Sequence, residues 1–419
     1  MLEGLKNALR IPDLRRKIVY TALLLVVARI GSYVPVPGVD ATGLAAQLGL
    51  ESGNIFGLLD LFSGGALGRF TLFALGVGPY ITSSIIIQLL GLVIPKLEQL
   101  AKDDPKTLGQ YTRYGTVVIA LLQAFATTMM ARNWGVITNP SFFNYVLILV
   151  SLVAGTSFLM WLGEQISEKG IGNGVSMLIF IGIVAEIPSN VRNVVWALQN
   201  DAISVIGLIV YLIVLVLIMA GVVLVQEGQR RIPVQYAKRV VGRRMYGGQS
   251  THIPLRVNQA GVIPVIFASS ILTFPLTLAQ FIPAVSVVNR WIGYGTFGYN
   301  FLYVVLIIFF TYFYTAVTFN PQEVAENMKK NGGFIPGLRP GRPTSEYLER
   351  VLTRITLPGA IFLAIIAVMP FLLSLVTRIP ENILHFGGTS IIIMVGVALD
   401  TMKQLESHLL LRHYEGFLS

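Results

Sequence analysis

The chain has 419 residues, of which 54% are hydrophobic and only 12% are charged, and its formal net charge is +10. Soluble domains carry about 25% charged residues, so this composition excludes a soluble enzyme and predicts a polytopic helical membrane protein. The chain contains no cysteine, which excludes disulfides, thiolate metal sites and cysteine nucleophiles.

The first apolar run, residues 18–34, follows a basic N-terminus. It is longer than the core of roughly 7–15 residues in a cleavable signal, so we expect it to be retained as a membrane span. Further apolar runs bring the number of predicted spans to ten. Their ranges are 18–34, 73–94, 114–130, 143–162, 175–187, 203–225, 260–282, 301–319, 355–376 and 389–399.

Positive charge is distributed unevenly between the loops that join these spans. With ten spans both termini lie on one side, and most of the 31 Lys and Arg residues fall on that side. The opposite loops hold only Arg132, Arg192, Arg290 and Arg378. Basic loops stay in the cytoplasm, so we expect both termini to be cytoplasmic. Arg29 lies near the other end of span 1, where its side chain can extend to the membrane interface.

Residues 56–94 form an apolar stretch with only two charges, Asp60 and Arg69. One crossing needs about 20 residues, so the stretch is too long for one span, and it is too apolar for a solvated loop. Glycines at 64 and 65 interrupt its first part, and irregular backbone at membrane depth must be covered by protein or line a water-filled cavity. We therefore predict a half-inserted segment that blocks a path through the membrane.

Two pairs of segments indicate an inverted repeat. Residues 76–86 resemble residues 261–271, because each begins with glycine and has a proline at its fourth position. Residues 174–186 resemble residues 388–400 and place Glu186 opposite Asp400. Chance is the alternative for either match alone, since apolar helices share glycine and isoleucine.

The two matches join span 2 with span 7 and span 5 with span 10, as a repeat of five spans requires. The chain would then consist of an N-terminal half, 1–202, and a C-terminal half, 203–419. Spans 5 and 10 are unusually short, and spans 2 and 7 are interrupted by glycine and proline. Short or interrupted segments at corresponding places in two halves point to a pathway between them.

Spans 2, 5, 7 and 10 place aliphatic residues at mid-membrane, and few ionisable ones. These residues are Val77, Ile81, Ile179, Ile183, Ile266 and Ile393. The pairs 77/81 and 179/183 are spaced i, i+4, so each pair shares one helix face. Such a ring is a hydrophobic constriction, which excludes water and binds no solute specifically. Ordinary packing within a helix bundle is the alternative.

Catalytic and cofactor motifs are absent from the sequence. There is no GxxxxGK[ST] and no HExxH, and the four histidines lack the spacing of metal ligands. We therefore expect neither an enzyme nor a metal or cofactor site.

Two long loops on the basic side, 226–258 and 320–352, combine arginine with proline and glycine. Membrane topology alone requires positive charge there, but not loops of this length. Arginine suits the recognition of phosphate and carboxylate groups. Docking of RNA or of an acidic protein is therefore favoured over a purely topological role.

Four motifs are recognisable: FSGGALGRFTLFALGVGPYITSSIIIQLL, GIGNGVS, QRRIPVQYAKRVVGRRMYGGQSTHIPLRVNQAGVIP and FIPGLRPGRPTSEYLERVLTRITLPGA. Together they resemble the SecY family, the channel subunits of the bacterial Sec protein translocase, and the resemblance covers essentially the whole chain. It implies an all-α polytopic membrane protein. Its ten transmembrane helices would form two inverted five-helix halves, a clam shell around a central hourglass pore closed by a plug helix.

The resemblance also implies roles for individual residues. The plug helix would cover about 56–70 and include Phe62, Ser63, Gly64, Gly65, Ala66, Leu67 and Arg69. The pore ring would consist of the six aliphatic residues, with Val77 where the family often has isoleucine. A lateral gate of spans 2 and 3 against 7 and 8 would carry Thr82, Ser83, Gln123, Ser269 and Ser270. Partners would dock on Arg239, Arg243, Arg244, Arg339 and Arg342.

The function implied by the resemblance is a channel in the bacterial plasma membrane. It would translocate unfolded secretory polypeptides and release transmembrane segments laterally into the lipid bilayer. Implied partners are the membrane subunits SecE and SecG, the SecA motor ATPase, the ribosome with its rRNA, signal sequences and nascent polypeptides. A secondary transporter of a small solute is one alternative, which inverted repeats and broken helices favour. A membrane scaffold that docks ribosomes is another.

Overall fold

The computed structural model describes residues 11–40, 60, 63–200, 203–236, 239–241, 244–246, 250–279, 291, 293, 295–377 and 388–415. Its helices are α1 Pro12–Gly31, α2 Gly78–Val93, α3 Pro95–Asp103, α4 Pro105–Asn133, α5 Phe142–Lys169, α6 Gly174–Gln199, α7 Val205–Glu227, α8 Ile263–Ala279, α9 Phe297–Thr318, α10 Pro321–Lys330, α11 Arg342–Thr377 and α12 Gly388–Glu415. Its strands are β1 Gln229–Tyr236, β2 Arg239–Val241, β3 Arg244–Tyr246, β4 Ser250–Arg256 and β5 Gly333–Phe334.

Each of the ten predicted spans coincides with one described helix, namely α1, α2, α4–α9, α11 or α12. In the described residues, 6 helical segments are long and apolar enough to cross a membrane. The number rises to 7 if the pair α2 and α3, bent by 113°, counts as one span. The helical membrane architecture is therefore confirmed, whereas the number of ten crossings stays a prediction.

The helices at spans 5 and 10 are not short, so that expectation is wrong. α6 has 26 residues and α12 has 28. Both helices continue beyond their apolar part into polar sequence, because backbone hydrogen bonding and not hydropathy sets the length of a helix. α6 includes Pro188 and Arg192, although the predicted span boundaries leave both residues in a loop.

Polar side chains determine where several helices begin. α4 follows Asp104, whose carboxylate accepts hydrogen bonds from the hydroxyl (2.6 Å) and the backbone N–H (3.3 Å) of Thr107. These hydrogen bonds hold the pKa of Asp104 below its ordinary value. α6 follows Asn173, whose side chain accepts from the N–H of Ser176. Such caps pair N–H groups that the first turn of a helix leaves free.

The two basic loops fold together into one unit outside the helical part. β1 pairs antiparallel with β4 in the first loop and with β5 in the second loop, in the strand order β4-β1-β5. Alternation along β1 buries Ile232 and Val234. These two residues pack with Leu255 of β4 and with Met328 and Leu348 of α10 and α11. The loops thus form a small domain with its own core, here called the loop platform (residues 229–256 and 320–352 as far as described).

The half-inserted segment predicted between spans 1 and 2 is a run of turns over residues 63–77. Glycines at 64, 65 and 76 adopt positive φ there, a conformation that L side chains avoid. The segment is tied to the end of α1 by two backbone hydrogen bonds, from Val36 to Phe70 and from Leu72 to Val34. We call Asp60 and residues 63–76 the inserted segment.

The predicted plug helix, about 56–70, is only partly helical within its described residues. Asp60 and Ser63 are helical, whereas residues 64–70 form turns. The reason is the low helix propensity of glycine at 64, 65 and 68. Residues 56–59 and Phe62 lie outside the described residues.

Candidate functional site

The six predicted ring residues come together in one buried hydrophobic cluster. Their exposed fractions range from 0% for Ile393 to 7% for Ile81. They are contributed by α2 and the turn before it, α6, α8 and α12, so both predicted halves take part. Ala66 of the inserted segment, with an exposed fraction of 0%, belongs to the same cluster. The structure therefore brings the aliphatic set and the inserted segment into contiguous packing.

Two cavities border this cluster, one along α2 from Tyr80 to Gln88 and the other at the turn before α2. The larger, about 490 Å³, is lined by Ile81, Ile179 and Ile266 and extends to Gln88 of α2. The smaller, about 30 Å³, is lined by Val77 and by residues of the inserted segment and α1. Val77 and Gln88 are 11 residues apart, roughly 16 Å along a helix. The aliphatic cluster thus borders both an open polar-walled cavity and a nearly filled one.

Arginine 29 holds the inserted segment from α1. Its Nη1 donates a hydrogen bond of 2.6 Å to the carbonyl oxygen of Gly64, and its Nη2 donates to the Tyr33 hydroxyl at 3.1 Å. Arg29 therefore has partners within the protein, which the prediction that its side chain extends to the membrane interface did not include. A short apolar run cannot reveal this contact, because the partner carbonyl is 35 residues away in sequence and is presented by a turn.

The inserted segment also packs closely on α6. A Cβ atom on Gly64 would lie 2.7 Å from the Cα of Gly182, so only glycine fits between the two backbones. The next glycine, Gly65, lies against the side chains of Arg69 and Glu186. The turns of the segment therefore bring its backbone and its arginine directly onto α6.

Four charged residues surround this contact: Arg29, Asp60, Arg69 and Glu186. Asp60 stays within the inserted segment, where its Oδ1 accepts from the N–H of Gly68 at 2.8 Å. Glu186 interacts electrostatically with both arginines and with Asp60. The guanidinium carbons of Arg29 and Arg69 lie 5.0 and 4.4 Å from the centre of the Tyr33 ring.

Tyr33 follows the end of α1, and both guanidinium groups lie over its ring. The sequence reasoning missed this group of charges, since it counted few ionisable residues at the pathway. The available signal was Glu186, one helical turn after Gly182 and matched by Asp400 in the repeat.

Comparison with known proteins decides the family. The family model described as SecY matches residues 71–402. The chain is 46% identical to the protein translocase subunit SecY of Halalkalibacterium halodurans and 49% identical to that of Mycobacterium tuberculosis, over 100% of each chain. The chain belongs to the SecY family. The sequence resemblance stated above is thereby confirmed.

Solved structures agree on the fold of this SecY-family chain. A structure described as a protein-conducting channel has a TM-score of 0.66, with 18% identity, and covers 93% of this chain and 91% of that chain. Sec61 from a canine ribosome–channel complex has a TM-score of 0.62 at 18% identity, with the same two shares covered. The fold is therefore that of the SecY and Sec61 channels.

The predicted gate residues of this SecY-family chain lie on the expected helices but differ in their partners. Ser83 on α2 is buried and donates from Oγ to the carbonyl oxygen of Thr112 in α4 at 2.8 Å. Thr82 and Ser269 are buried too, and each hydroxyl bonds to a carbonyl of its own helix. Gln123 and Ser270 are half-buried.

All five predicted gate residues are described, and none of them lines the 490 Å³ cavity where α2 and α8 meet. Besides the three ring residues, that cavity is lined by residues that the sequence analysis did not assign to the site. They include Tyr80, Ser84, Gln88, Arg113, Glu164, Glu168, Asn173 and Phe267. Arg113 and Glu164 form a salt bridge of 2.8 Å in its wall.

Four of the five predicted docking arginines of this SecY-family chain are described, and they lie in the two basic loops. Arg339 and Arg342 are exposed, and Arg342 forms a salt bridge of 2.9 Å with Glu346. Arg239 lies in β2 and Arg244 in β3, which pair with each other as an antiparallel hairpin. Arg243 lies outside the described residues. Within the described residues no three His, Cys, Asp or Glu side chains are grouped so as to hold a metal ion.

Proposed function

We propose that the chain is the protein-conducting channel of a Sec translocase in a bacterial plasma membrane. It passes unfolded secretory polypeptides across the membrane and releases transmembrane segments sideways into the bilayer. The observation that carries this proposal is that all six aliphatic side chains are buried in one hydrophobic cluster, which borders two cavities and includes Ala66 of the inserted segment. Relatives along the whole chain are named protein translocase subunit SecY.

The aliphatic cluster suits a substrate whose side chains vary from one residue to the next. Aliphatic groups offer no hydrogen bond that would retain a particular sequence, and they exclude water when they meet. Val77, Ile81, Ile179, Ile183, Ile266 and Ile393 form the pore ring in this proposal. The inserted segment acts as the plug, which blocks the ring until a chain displaces it. A structure whose description says that the SecY plug domain stabilises the closed channel has a TM-score of 0.63.

The lateral gate of the proposal lies where α2 of the first half meets α8 of the second. The helix pairs α2–α4 and α8–α9 would separate along this seam, and the 490 Å³ cavity already opens beside it. On the α8 side, the ring of Phe267 lies 5.8 Å from that of Phe310 and 6.3 Å from that of Tyr314. Thr82, Ser83, Gln123, Ser269 and Ser270 would supply polar contacts as the seam opens.

The energy for transport would come from a partner, because the chain contributes no catalytic chemistry to the proposal. Both termini and the loop platform would face the cytoplasm, where SecA or a ribosome docks on Arg239, Arg243, Arg244, Arg339 and Arg342. SecE and SecG would complete the complex in the membrane. The exposed arginines at 339 and 342 support docking, since guanidinium groups bind phosphate and carboxylate groups in a bidentate manner.

Cysteine crosslinking to a stalled substrate tests the channel directly. The chain has no cysteine, so Ile81→Cys introduces the only thiol. We expect it to crosslink with a stalled secretory chain that carries one cysteine. Val150→Cys is the matched control, because Val150 on α5 has an exposed fraction of 57% and lies outside the ring cluster. Equal crosslinking at both positions, or none at Ile81→Cys with a verified stalled chain, would reject the proposal.

Ribosome binding to proteoliposomes tests the docking surface. Charge reversal by Arg339→Glu should weaken binding and reduce its dependence on salt, because one phosphate contact is lost. The control is Arg132→Glu. Arg132 lies in the last turn of α4, on the side of the membrane predicted to face away from the ribosome. Its native side chain is exposed and lies over the Tyr145 ring. Unchanged binding of the Arg339→Glu variant would remove this arginine from the docking surface.

The secondary-transporter alternative needs a polar or charged solute site at the constriction. The six residues that meet there are all aliphatic and buried. Counterflow of a defined small solute in proteoliposomes that contain only this protein would be required to revive it.

A further inference from the structure

The inserted segment is held by charges from outside itself as well as by packing. α1 supplies Arg29, which donates to the backbone of Gly64, and α6 supplies Glu186, which interacts electrostatically with Arg29 and Arg69. Asp60 cannot fasten the segment to α6, because it belongs to the segment itself, where its Oδ1 accepts from the N–H of Gly68 and the hydroxyl of Ser63. Glu186 is half-buried. Of the two described carboxylates around this contact, Glu186 belongs to α6, whereas Asp60 belongs to the inserted segment.

Glu186 is also connected to the pore ring through its own helix. Ile179, Ile183 and Glu186 are spaced i, i+4 and i+7, so they lie along one face of α6. Gly182, one turn before Glu186, is the residue whose Cα the inserted segment approaches. A displacement of α6 away from the ring would therefore carry Gly182 and Glu186 away from the inserted segment at the same time.

We propose that Glu186 is a positioning residue that fastens the inserted segment by pairing with Arg69 and Arg29, so that ring widening and plug release occur as one event. This rests on the proposed function. While α6 stands against the ring, the Glu186 carboxyl group lies beside Arg69 at Gly65 and the segment stays seated. When a passing chain pushes α6 outward, the arginines lose this partner in a poorly hydrated site, and the segment leaves. Unpaired charges in such surroundings are strongly unfavourable.

Thiol labelling and resting conductance of the assembled translocase test this proposal together. Ala66→Cys places a reporter at a fully buried position of the inserted segment in a chain without other cysteines. A membrane-impermeant maleimide added from the exofacial side should label it slowly. In the same background we expect Glu186→Gln to raise both the labelling rate and the ion conductance at least about tenfold, a change of about 1.4 kcal/mol.

A double-mutant cycle separates a specific pair from general loosening. If Glu186 acts through Arg69, the double variant Glu186→Gln, Arg69→Gln should label no faster than either single variant. Glu186→Asp keeps the charge on a shorter side chain and should restore much of the slow labelling. The matched control is Glu326→Gln on α10, an exposed carboxylate far from the inserted segment, which should leave both readouts unchanged.

The outcomes distinguish this proposal from the proposed function. Wild-type labelling and conductance in Glu186→Gln would overturn the fastening role, and so would effects of Glu186→Gln and Arg69→Gln that multiply in the double variant. Either result leaves the channel proposal standing if Ile81→Cys still crosslinks to a stalled chain. Loss of that crosslink in the otherwise unchanged protein would instead reject the channel itself.

Discussion

The last helices of the two predicted halves, α6 and α12, share one arrangement. Each begins at a glycine, Gly174 or Gly388, that lies against a backbone carbonyl of an earlier helix, at Gly163 and Ile366 respectively. Each then carries a buried ring isoleucine, a second glycine three residues later and an acidic residue four residues after that. The repeat seen in the sequence therefore corresponds to equivalent packing in the fold.

The two helices differ in what the second glycine and the acid contact. In α6, Gly182 meets Gly64 of the inserted segment, and half-buried Glu186 faces Arg29 and Arg69. In α12, the corresponding glycine meets the side chains of Val262 and Gln226. The inserted segment therefore lies on α6, whereas α12 meets the end of α7 and the connection from β4 to α8.

The acid of α12 lies in a more open place than the acid of α6. Asp400 is exposed and shares a cavity of about 370 Å³ with Arg256, the last residue of β4, and with Lys403. Lys403 also donates to the carbonyl oxygen of Gln226 at 3.4 Å. The comparison teaches that one pattern can lie against the inserted segment on one helix and beside the end of β4 on the other.

The largest expected effect comes from breaking the α6 contact at its narrowest point. Gly64→Ala adds a Cβ 2.7 Å from the Cα of Gly182 and also forces a side chain into positive φ. Positive φ alone costs about 1–2 kcal/mol for a non-glycine residue. Together these terms should raise the resting conductance in planar bilayers roughly 30-fold, the factor for about 2 kcal/mol.

The control for this substitution separates the contact with Gly182 from the cost of placing a side chain at positive φ. Gly135→Ala meets the same positive φ, but no atom lies within 4 Å of its new Cβ. It should lower thermal stability slightly and leave the conductance unchanged. If both variants leak equally, the close approach of Gly64 to α6 does not hold the inserted segment.

A smaller effect is expected from breaking the corresponding site on α12. Asp400→Asn removes the carboxylate that faces Arg256 and Lys403. Because Asp400 is exposed, solvent screens this interaction and the loss should be up to about 1 kcal/mol. We expect motor-driven translocation in proteoliposomes to slow by up to about fivefold.

The resting conductance of the Asp400→Asn variant should stay at the wild-type value, unlike that of Glu186→Gln. Conductance and translocation rate together therefore distinguish the role of Glu186 from that of Asp400. If the resting conductance of Asp400→Asn rose as much as that of Glu186→Gln, the two acidic residues would not have different roles.

Much of the fold could be predicted from the sequence because its signals are local. Long apolar runs predict helices, and the i, i+4 spacing of Ile179 and Ile183 predicts one shared face. The repeat predicts which helices contribute the six aliphatic residues, and all six belong to one larger buried cluster. Helix ends were predicted less well, since α6 continues through Pro188 into polar sequence.

The contacts that could not be predicted depend on chain segments that are distant in sequence. Arg29 bonds to a carbonyl whose position is set by two glycines at positive φ, and no local pattern encodes that path. The sheet of the loop platform pairs Gln235 with Phe334, from different loops. Such registers follow from how the helices bring the loops together, which apolar periodicity does not reveal.

The smallest predicted effect sharpens the comparison between α2 and α8, the other matched helices. In the gapless alignment of the two segments, Ser83 corresponds to Ala268, so only the first half has a hydroxyl at this position. Ser83 donates to Thr112 across to α4. In the Ser83→Ala variant the carbonyl oxygen of Thr112 still accepts from the Thr116 hydroxyl at 2.7 Å. The substitution therefore leaves no buried carbonyl without a hydrogen bond.

We therefore expect Ser83→Ala to lower the free energy of unfolding in detergent by about 0.6 kcal/mol, the usual worth of a hydrogen bond between membrane helices. Ser269→Ala on α8 is the control, because its hydroxyl bonds only to Ile266 of its own helix in the described contacts. Its effect on thermal unfolding should be close to zero. Equal losses of unfolding free energy in the two variants would contradict this expectation. They would mean that the hydrogen bond from α2 to α4 adds no stability beyond packing, and that α2 is held no more firmly than α8.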